Sequence, residues 1–285
     1  MENAYRRSLL YVPGDKPHML EKGIFSVCDS MIIDWEDAVT LSQKELAREV
    51  TANFLNQKSP KKEIFIRIND PASAQYTEDL KLAVTLPITG VVLPKACPES
   101  VKTVDRDFKK LGVLESLLLI PLIETAFGLI HLEATITASA HIKAVQFGAE
   151  DYTRDLEIAR TKSSEEVLLA RQIIGLVCRS QEVQAIDTPY VDFKDNAGLE
   201  QDICVAKQAG FKAKTAIHPA QLEIINHSFI PSEAEIAFAQ RVVEISQLPE
   251  NSHLGAFSLD GKMVDAPIIA RAKRVLDRIQ QYRSN

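Results

Sequence analysis

The sequence predicts an α/β fold, a (β/α)₈ TIM barrel with a carboxy-terminal helical extension, on three observations. Short apolar runs recur eight times along the chain. Most hold three or four consecutive aliphatic or β-branched residues rather than strict alternation, as parallel strands buried on both faces do. Amphipathic stretches of helical period separate the runs, and strand alternating with helix eight times closes into a barrel. An open doubly wound sheet is the alternative, but no G-x-G-x-x-G follows the first run and nothing marks a switch point.

The runs are SLLYVP (8–13), SMIIDWED (30–37), EIFIRIND (63–70), GVVLPKA (90–96), LLLIPLIET (117–125), AVQFGAED (144–151), VQAIDTPY (183–190) and AKTAIHP (213–219). After the fourth, residues 99–110 place Val101, Val104 and Phe108 at helical spacing. Residues 163–181 open on SSEE, a capping-box arrangement of Ser163 or Ser164 with Glu166, then run apolar from Val167 to Ile174. Beyond the eighth run two helices are expected near 232–247 and 266–283, separated by the Gly-, Pro- and polar-rich LPENSHLGAFSLDGKMVDAP. That tail is too long to be the last barrel helix alone. The expected organisation is a catalytic barrel over 1–230 and a helical lid or oligomerisation extension over 231–285.

Hydrophobic content of 46% and charged content of 25% suit a soluble enzyme with a substantial core. At a net charge of −6 neither nucleic acid nor an anionic membrane is an expected partner, and a polyanionic ligand must be held by local basic residues or a metal. The basic amino end carries an apolar run too short for a signal peptide, and no segment approaches the roughly 18 apolar residues that span a bilayer. Cys28, Cys97, Cys178 and Cys204 form no C-x-x-C pair, so buried reduced thiols in a reducing cytoplasm are expected.

Reading each run to its carboxyl end collects Asp34, Glu36, Asp37, Arg67, Asn69, Lys95, Glu124, Glu150, Asp151, Asp187 and His218. In a barrel these ends converge on one mouth, where active sites are built. Crowded acids cost stability unless cations neutralise them, and a divalent metal with Arg67 and Lys95 would do so. Glu124 and Asp151, from adjacent strands, can reach one Mg²⁺; capping of the following helices is the structural alternative. Glu150 and Asp37 stand as water-mediated candidates. Arg67 suits a fork on a substrate carboxylate, an ion pair with Asp34 or Glu36, or both. Lys95 suits the acid cluster or a substrate carboxylate, because a metal in the same mouth makes a Schiff base redundant. His218 suits ligand positioning or a structural hydrogen bond, and Asp265 reads locally as the N-cap of the last helix.

RRSLLYVPG, WEDAV, RIN, LPK, the IET run, GAEDY and GKMVD, in that order, resemble the citrate lyase β-subunit-like (HpcH/HpaI) family from Arg6 to about Leu276. QAIDTPYVDFKD and AIHPAQ are more similar to the stand-alone citramalyl-CoA and malyl-CoA lyases. Where the family usually carries Leu or Cys before its Glu-Asp pair this chain has Trp35, a departure that bears on pocket shape. The resemblance implies Mg²⁺-dependent retro-Claisen cleavage of a 3-hydroxyacyl-CoA thioester, of citramalyl, malyl or citryl type, to a 2-keto acid or glyoxylate plus acetyl-CoA. It implies Glu124 and Asp151 as metal ligands and Arg67 as stabiliser of the enolate, with Arg67, Glu124, Asp37 and Lys95 around the substrate. It further implies Asp265 as the catalytic acid/base, reaching the site of a neighbouring subunit in a homo-oligomer, a trimer. Two rivals remain: a citryl-ACP lyase subunit of a multi-protein citrate lyase, and a class II pyruvate aldolase, against which the retained GKMVD argues.

Overall fold

Eight parallel strands close into a barrel in chain order. They are β1 (Ser8–Pro13), β2 (Ser30–Asp34), β3 (Glu63–Arg67), β4 (Gly90–Leu93), β5 (Leu118–Ile123), β6 (Ala144–Phe147), β7 (Gln184–Asp187) and β8 (Ala213–Ala216). β8 returns to β1 with Ser8 opposite Lys214, which removes both sheet edges. The computed structural model describes residues 6–58, 60–248, 251 and 255–284. The chain divides into two units, Arg6–His227 with the barrel and a second that begins at Ser228.

Every apolar run forms a strand, but all except β1 stop before their run does. The remainder turns into the loop at the carboxyl end, because its polar side chains take over the backbone's hydrogen bonds. Asp34 is the clearest case, accepting the N–H groups of Glu36 at 2.8 Å and Ala38 at 3.0 Å. Inside the barrel, Leu9, Ile32, Phe65, Val92, Ile120, Leu122, Ala144, Ile186 and Ala213 pack into one cluster. Strand side chains alternate, so the inward face of each strand continues at every second residue. This parity carries Tyr11, Asp34, Arg67 and Gln146 to the same side as the core.

The helix Pro98–Lys110 buries Val101, Val104 and Phe108, as their spacing requires. The expected capping box at SSEE does not form. A 3₁₀ turn, Glu165–Val167, precedes the helix Leu168–Ser180, and Ser164 stands in the left-handed region at φ +58°. Its hydroxyl donates to Asp202 instead, while Glu166 accepts from Thr161 and Arg160. All four cysteines are free; Cys28 and Cys178 are buried, Cys97 is half-buried, and Cys204 is exposed, contrary to the buried setting expected of it. Among the described residues no helix is long and apolar enough to cross a membrane.

In the second unit, helices Glu233–Ser246 and Ala266–Ser284 stand where the periodicity placed them. Ser232 and Glu235 form a reciprocal capping box at the first. The polar stretch between them is not irregular throughout. It contains a hairpin of β9 (Ala256–Leu259) and β10 (Lys262–Asp265), turned by Asp260 and Gly261 at φ +52° and +74°. An Asp-Gly pair favours this doubly left-handed turn. Val242, Leu259, Val264 and Ala272 form the unit's own small core.

Candidate active site

Glu124 leaves β5 pointing into the barrel mouth, and its Oε1 accepts the backbone N–H of Lys95 at 2.7 Å. Lys95 holds that N–H in place from a left-handed backbone, φ +47°, which a lysine seldom adopts without a functional or packing demand. The other oxygen faces Gly148, the residue after β6. A Cβ there would stand 2.8 Å from Glu124 Oε2 and 2.9 Å from its Cβ, so glycine keeps this oxygen clear. Burial, then the charges of Asp151 and Glu36, raise the Glu124 pKa to about 8. Asp151 lies in the first turn of the helix Ala149–Asp155 and pairs with Arg154 at 2.5 Å. Thr188 anchors that turn by accepting the Ala149 N–H at 3.0 Å. The capping alternative fails for Glu124, because Thr125 caps the next helix by accepting the Gly128 N–H. It holds in part for Asp151, whose charge sits at a helix amino end.

Across the mouth, Arg67 forks onto Asp34, with Nε to Oδ1 at 2.8 Å and Nη2 to Oδ2 at 2.5 Å. Its Nη1 lies 3.0 Å from Glu36 and 3.9 Å from the exposed Asp37. The Tyr11 ring lies under the guanidinium at 5.1 Å. Lys95 Nζ donates to Glu36 Oε1 at 3.0 Å. Burial raises the Glu36 pKa even against Arg67 and Lys95. Both basic residues therefore pair with the acid cluster, the structural alternatives the sequence left open.

Arg67, Glu124, Asp151, Glu150, Asp37 and Asp34 line one cavity of about 450 Å³, whose floor is Tyr11, Leu122 and Gln146. Lys95 meets this group through Glu36 and the Glu124 oxygen. Glu150 turns toward Arg160, 3.4 Å away. Three residues expected at the mouth are employed elsewhere. Asp187 points outward from β7 into a fully buried network with Arg171, Lys214 and Asp202. Asn69 donates to the Trp35 carbonyl and to Asp79. His218 caps the 3₁₀ turn Pro219–Gln221 and stacks on Phe193 at 4.6 Å. Trp35 does not shape the cavity either: it faces away, donates to Thr51 at 2.9 Å and packs over Gly14. Asp265 ends β10, where its Oδ1 accepts the Ile268 N–H at 3.2 Å in the N-cap role.

Tyr11, Gln146, Gly148 and Thr188 were not singled out by sequence. Strand parity was the available signal for the first two, each lying two residues beyond an apolar core position.

Among the described residues no three His, Cys, Asp or Glu side chains gather as a metal set. A carboxylate pair is nevertheless enough for Mg²⁺, which keeps water and substrate oxygens for its remaining positions. The clear Glu124 oxygen, on a buried carboxyl whose ionisation lacks a cationic partner of its own, and the adjacent Asp151 fit such an ion.

A family model described as HpcH/HpaI aldolase/citrate lyase matches residues 7–219. The chain belongs to this family. As a member of it, the protein is a carbon–carbon lyase. Citrate lyase subunit beta of Haemophilus influenzae is 34% identical over 96% of this chain and 96% of its own length. Mitochondrial citramalyl-CoA lyase of Homo sapiens is 29% identical over 95% of this chain and 84% of its own. Among solved structures, protein CitE of Mycobacterium tuberculosis, in complex with magnesium, acetoacetate and coenzyme A, superposes with a TM-score of 0.82 at 28% identity, covering 97% of this chain and 98% of that one.

Proposed function

We propose that this family member is a cytoplasmic, Mg²⁺-dependent lyase that cleaves a 3-hydroxyacyl-CoA thioester to a 2-keto acid or glyoxylate plus acetyl-CoA. The observation that carries the reading is the single cavity in which Arg67 faces Glu124 and Asp151. Relatives named for citrate and citramalyl-CoA lysis, and a neighbour complexed with magnesium and coenzyme A, support it.

Glu124 and Asp151 would hold the metal ion. When bound, Mg²⁺ supplies a Lewis acid that acidifies the substrate's 3-hydroxyl and anchors its carboxylate. Arg67 stabilises the negative charge that gathers on the thioester oxygen as the carbon–carbon bond breaks. Asp34 orients the guanidinium for this through its two-point fork, so the donor is set before charge develops. The 3-hydroxyl proton passes to solvent as the carbon–carbon bond breaks, and Asp265 of a neighbouring subunit in a homotrimer delivers a proton to the enolate carbon, which in the synthetic direction it would remove. Asp37 and Lys95 contribute charge around the substrate.

Likeness to a citrate lyase β-subunit favours one second reading, action on a thioester carried by an acyl carrier protein within a larger complex. The purified chain, assayed alone on free CoA thioesters with Mg²⁺ and then after chelation, separates the two. Metal-dependent release of acetyl-CoA is expected. Full turnover after exhaustive chelation would remove the metal from the reading, and activity confined to carrier-bound thioesters would favour the subunit.

A further inference from the structure

The lyase reading leaves open what third substituent the hydroxyl-bearing carbon carries beside its carboxylate and the thioester arm: hydrogen, methyl or carboxymethyl. The cavity floor separates these. Strands β5 and β6 set Leu122 and Gln146 side by side in register. Tyr11 reaches them from β1, its hydroxyl 2.8 Å from Gln146 Nε2 and 3.1 Å from Oε1. Gln146 is 1% exposed and Leu122 is 2% exposed, so the floor is dry when the mouth is occupied. It offers one aliphatic side chain and one neutral phenol–amide pair already bonded to each other. Burial keeps the Tyr11 hydroxyl protonated, with its pKa raised.

Charge on the walls points the same way. Among the described residues lining the cavity Arg67 is the sole cation, against Asp34, Asp37, Glu124, Glu150 and Asp151. Arg67 already serves Asp34 and Glu36. The nearby cations Lys95, Arg154 and Arg160 are paired with Glu36, Asp151 and Glu150. One substrate carboxylate is provided for by the metal ion, and the guanidinium is taken up by the thioester oxygen. A second, on a carboxymethyl arm, would be desolvated over a neutral floor within the field of several acids. A methyl group there meets Leu122 and the Tyr11 ring instead, at no electrostatic cost.

Resting on the lyase reading, we infer that the site selects thioesters whose hydroxyl-bearing carbon carries one free carboxylate and a small apolar substituent, and that Leu122, Tyr11 and Gln146 set this preference. The test is cleavage by the purified full chain, with Mg²⁺, of three CoA thioesters that differ only in that substituent. The methyl compound should exceed the hydrogen one in kcat/KM by about 10-fold or more. It should exceed the carboxymethyl one by about 100-fold, as expected of an unpaired buried charge. Calorimetric binding of the three keto-acid products reads the same half of the cavity without turnover, and pyruvate should bind tighter than glyoxylate and oxaloacetate. Gln146→Arg, which adds a cation to the floor, should narrow the gap between the methyl and carboxymethyl thioesters by about tenfold. Equal or faster cleavage of the carboxymethyl thioester by the unaltered protein would overturn the inference. No cleavage of any of the three would sink the lyase reading, and the binding order then decides alone: pyruvate tightest upholds the floor's preference, and oxaloacetate as tight or tighter overturns it.

Discussion

Replacing Glu124 by glutamine should make the metal-free protein more stable at alkaline pH, although it removes a proposed metal ligand. Glu124 is buried beside Asp151 and Glu36, and its pKa stands at about 8 rather than the ordinary 4.5. Below the ordinary value, folded and unfolded chains both hold the proton, and stability does not depend on it. Between the two values the unfolded chain has released the proton while the folded one keeps it, so stability falls as pH rises; above about 8 it falls no further. Each pH unit costs about 1.36 kcal/mol. The interval from 4.5 to about 8 therefore removes about 5 kcal/mol. In a protein of this size that is about 10 to 20 °C of melting temperature. Glutamine can still accept the Lys95 N–H through its carbonyl oxygen, and it never ionises. Melting curves in EDTA should lie close together for the two proteins at pH 4, with the variant melting higher at pH 8. Excess Mg²⁺ should then narrow the gap, because an ion at 100 times its Kd adds about 2.7 kcal/mol to the unaltered protein and nothing to the variant. Identical pH slopes, or equal stabilisation of both by Mg²⁺, would refute the reasoning.

Arg67→Lys keeps the charge but loses the fork on Asp34, so turnover should drop by about 10²- to 10³-fold in steady-state kinetics. An unchanged kcat would leave Arg67 as a structural partner of Asp34 and Glu36. Gly148→Ala places a methyl group 2.8 Å from the clear oxygen of Glu124. Its Mg²⁺ affinity, measured by calorimetry, should weaken by about tenfold or more with the circular dichroism spectrum preserved, and retained affinity would count against this oxygen as a ligand. Mixing inactive Asp265→Asn chains with inactive Glu124→Gln chains should restore part of the activity if sites are completed between subunits. No recovery despite confirmed subunit exchange would place Asp265 in its own chain's site or outside catalysis.

The barrel was legible because doubly buried strands leave uninterrupted apolar runs, and all eight runs became strands. Collecting polar residues at the run ends located the mouth but not which of them face it. Asp187 follows inward-facing Ile186 and must point outward, where Arg171 and Lys214 receive it. Trp35 follows inward-facing Asp34 and packs outward for the same reason. Counting by twos from the apolar core would have removed both and drawn in Gln146, an uncharged residue that a search for acids passes over. The hairpin at Asp260–Gly261 was also readable, since Asp-Gly between short alternating segments is a turn signal. The left-handed backbone of Lys95 was not readable, because it answers to Glu124, which lies 29 positions further along the chain.

The two halves of the mouth close their charges differently, and this difference places the chemistry. Around β2 to β4, Asp34 and Glu36 meet Arg67 and Lys95, with each cation within 3.0 Å of an acid. In that half each of these two cations has an acid beside it. Around β5 and β6, the partner of Asp151 is Arg154, whose side chain is 70% exposed, and a pair so open to water is strongly screened. Glu124 has one backbone N–H on its first oxygen and open space at its second. An apolar residue in that place would extend the Leu122 side of the core and spare the fold a buried, unbalanced acid. Retaining a carboxylate there is a cost to stability that packing does not explain, and a bound cation relieves it. On the proposed reading the cation would sit in the β5–β6 half, while Arg67, already anchored on the other, presents its guanidinium to the same cavity. In the proposed reaction a substrate held between them would place its keto-acid portion against Glu124 and Asp151 and its thioester oxygen toward Arg67, so the bond to be broken would span the two halves.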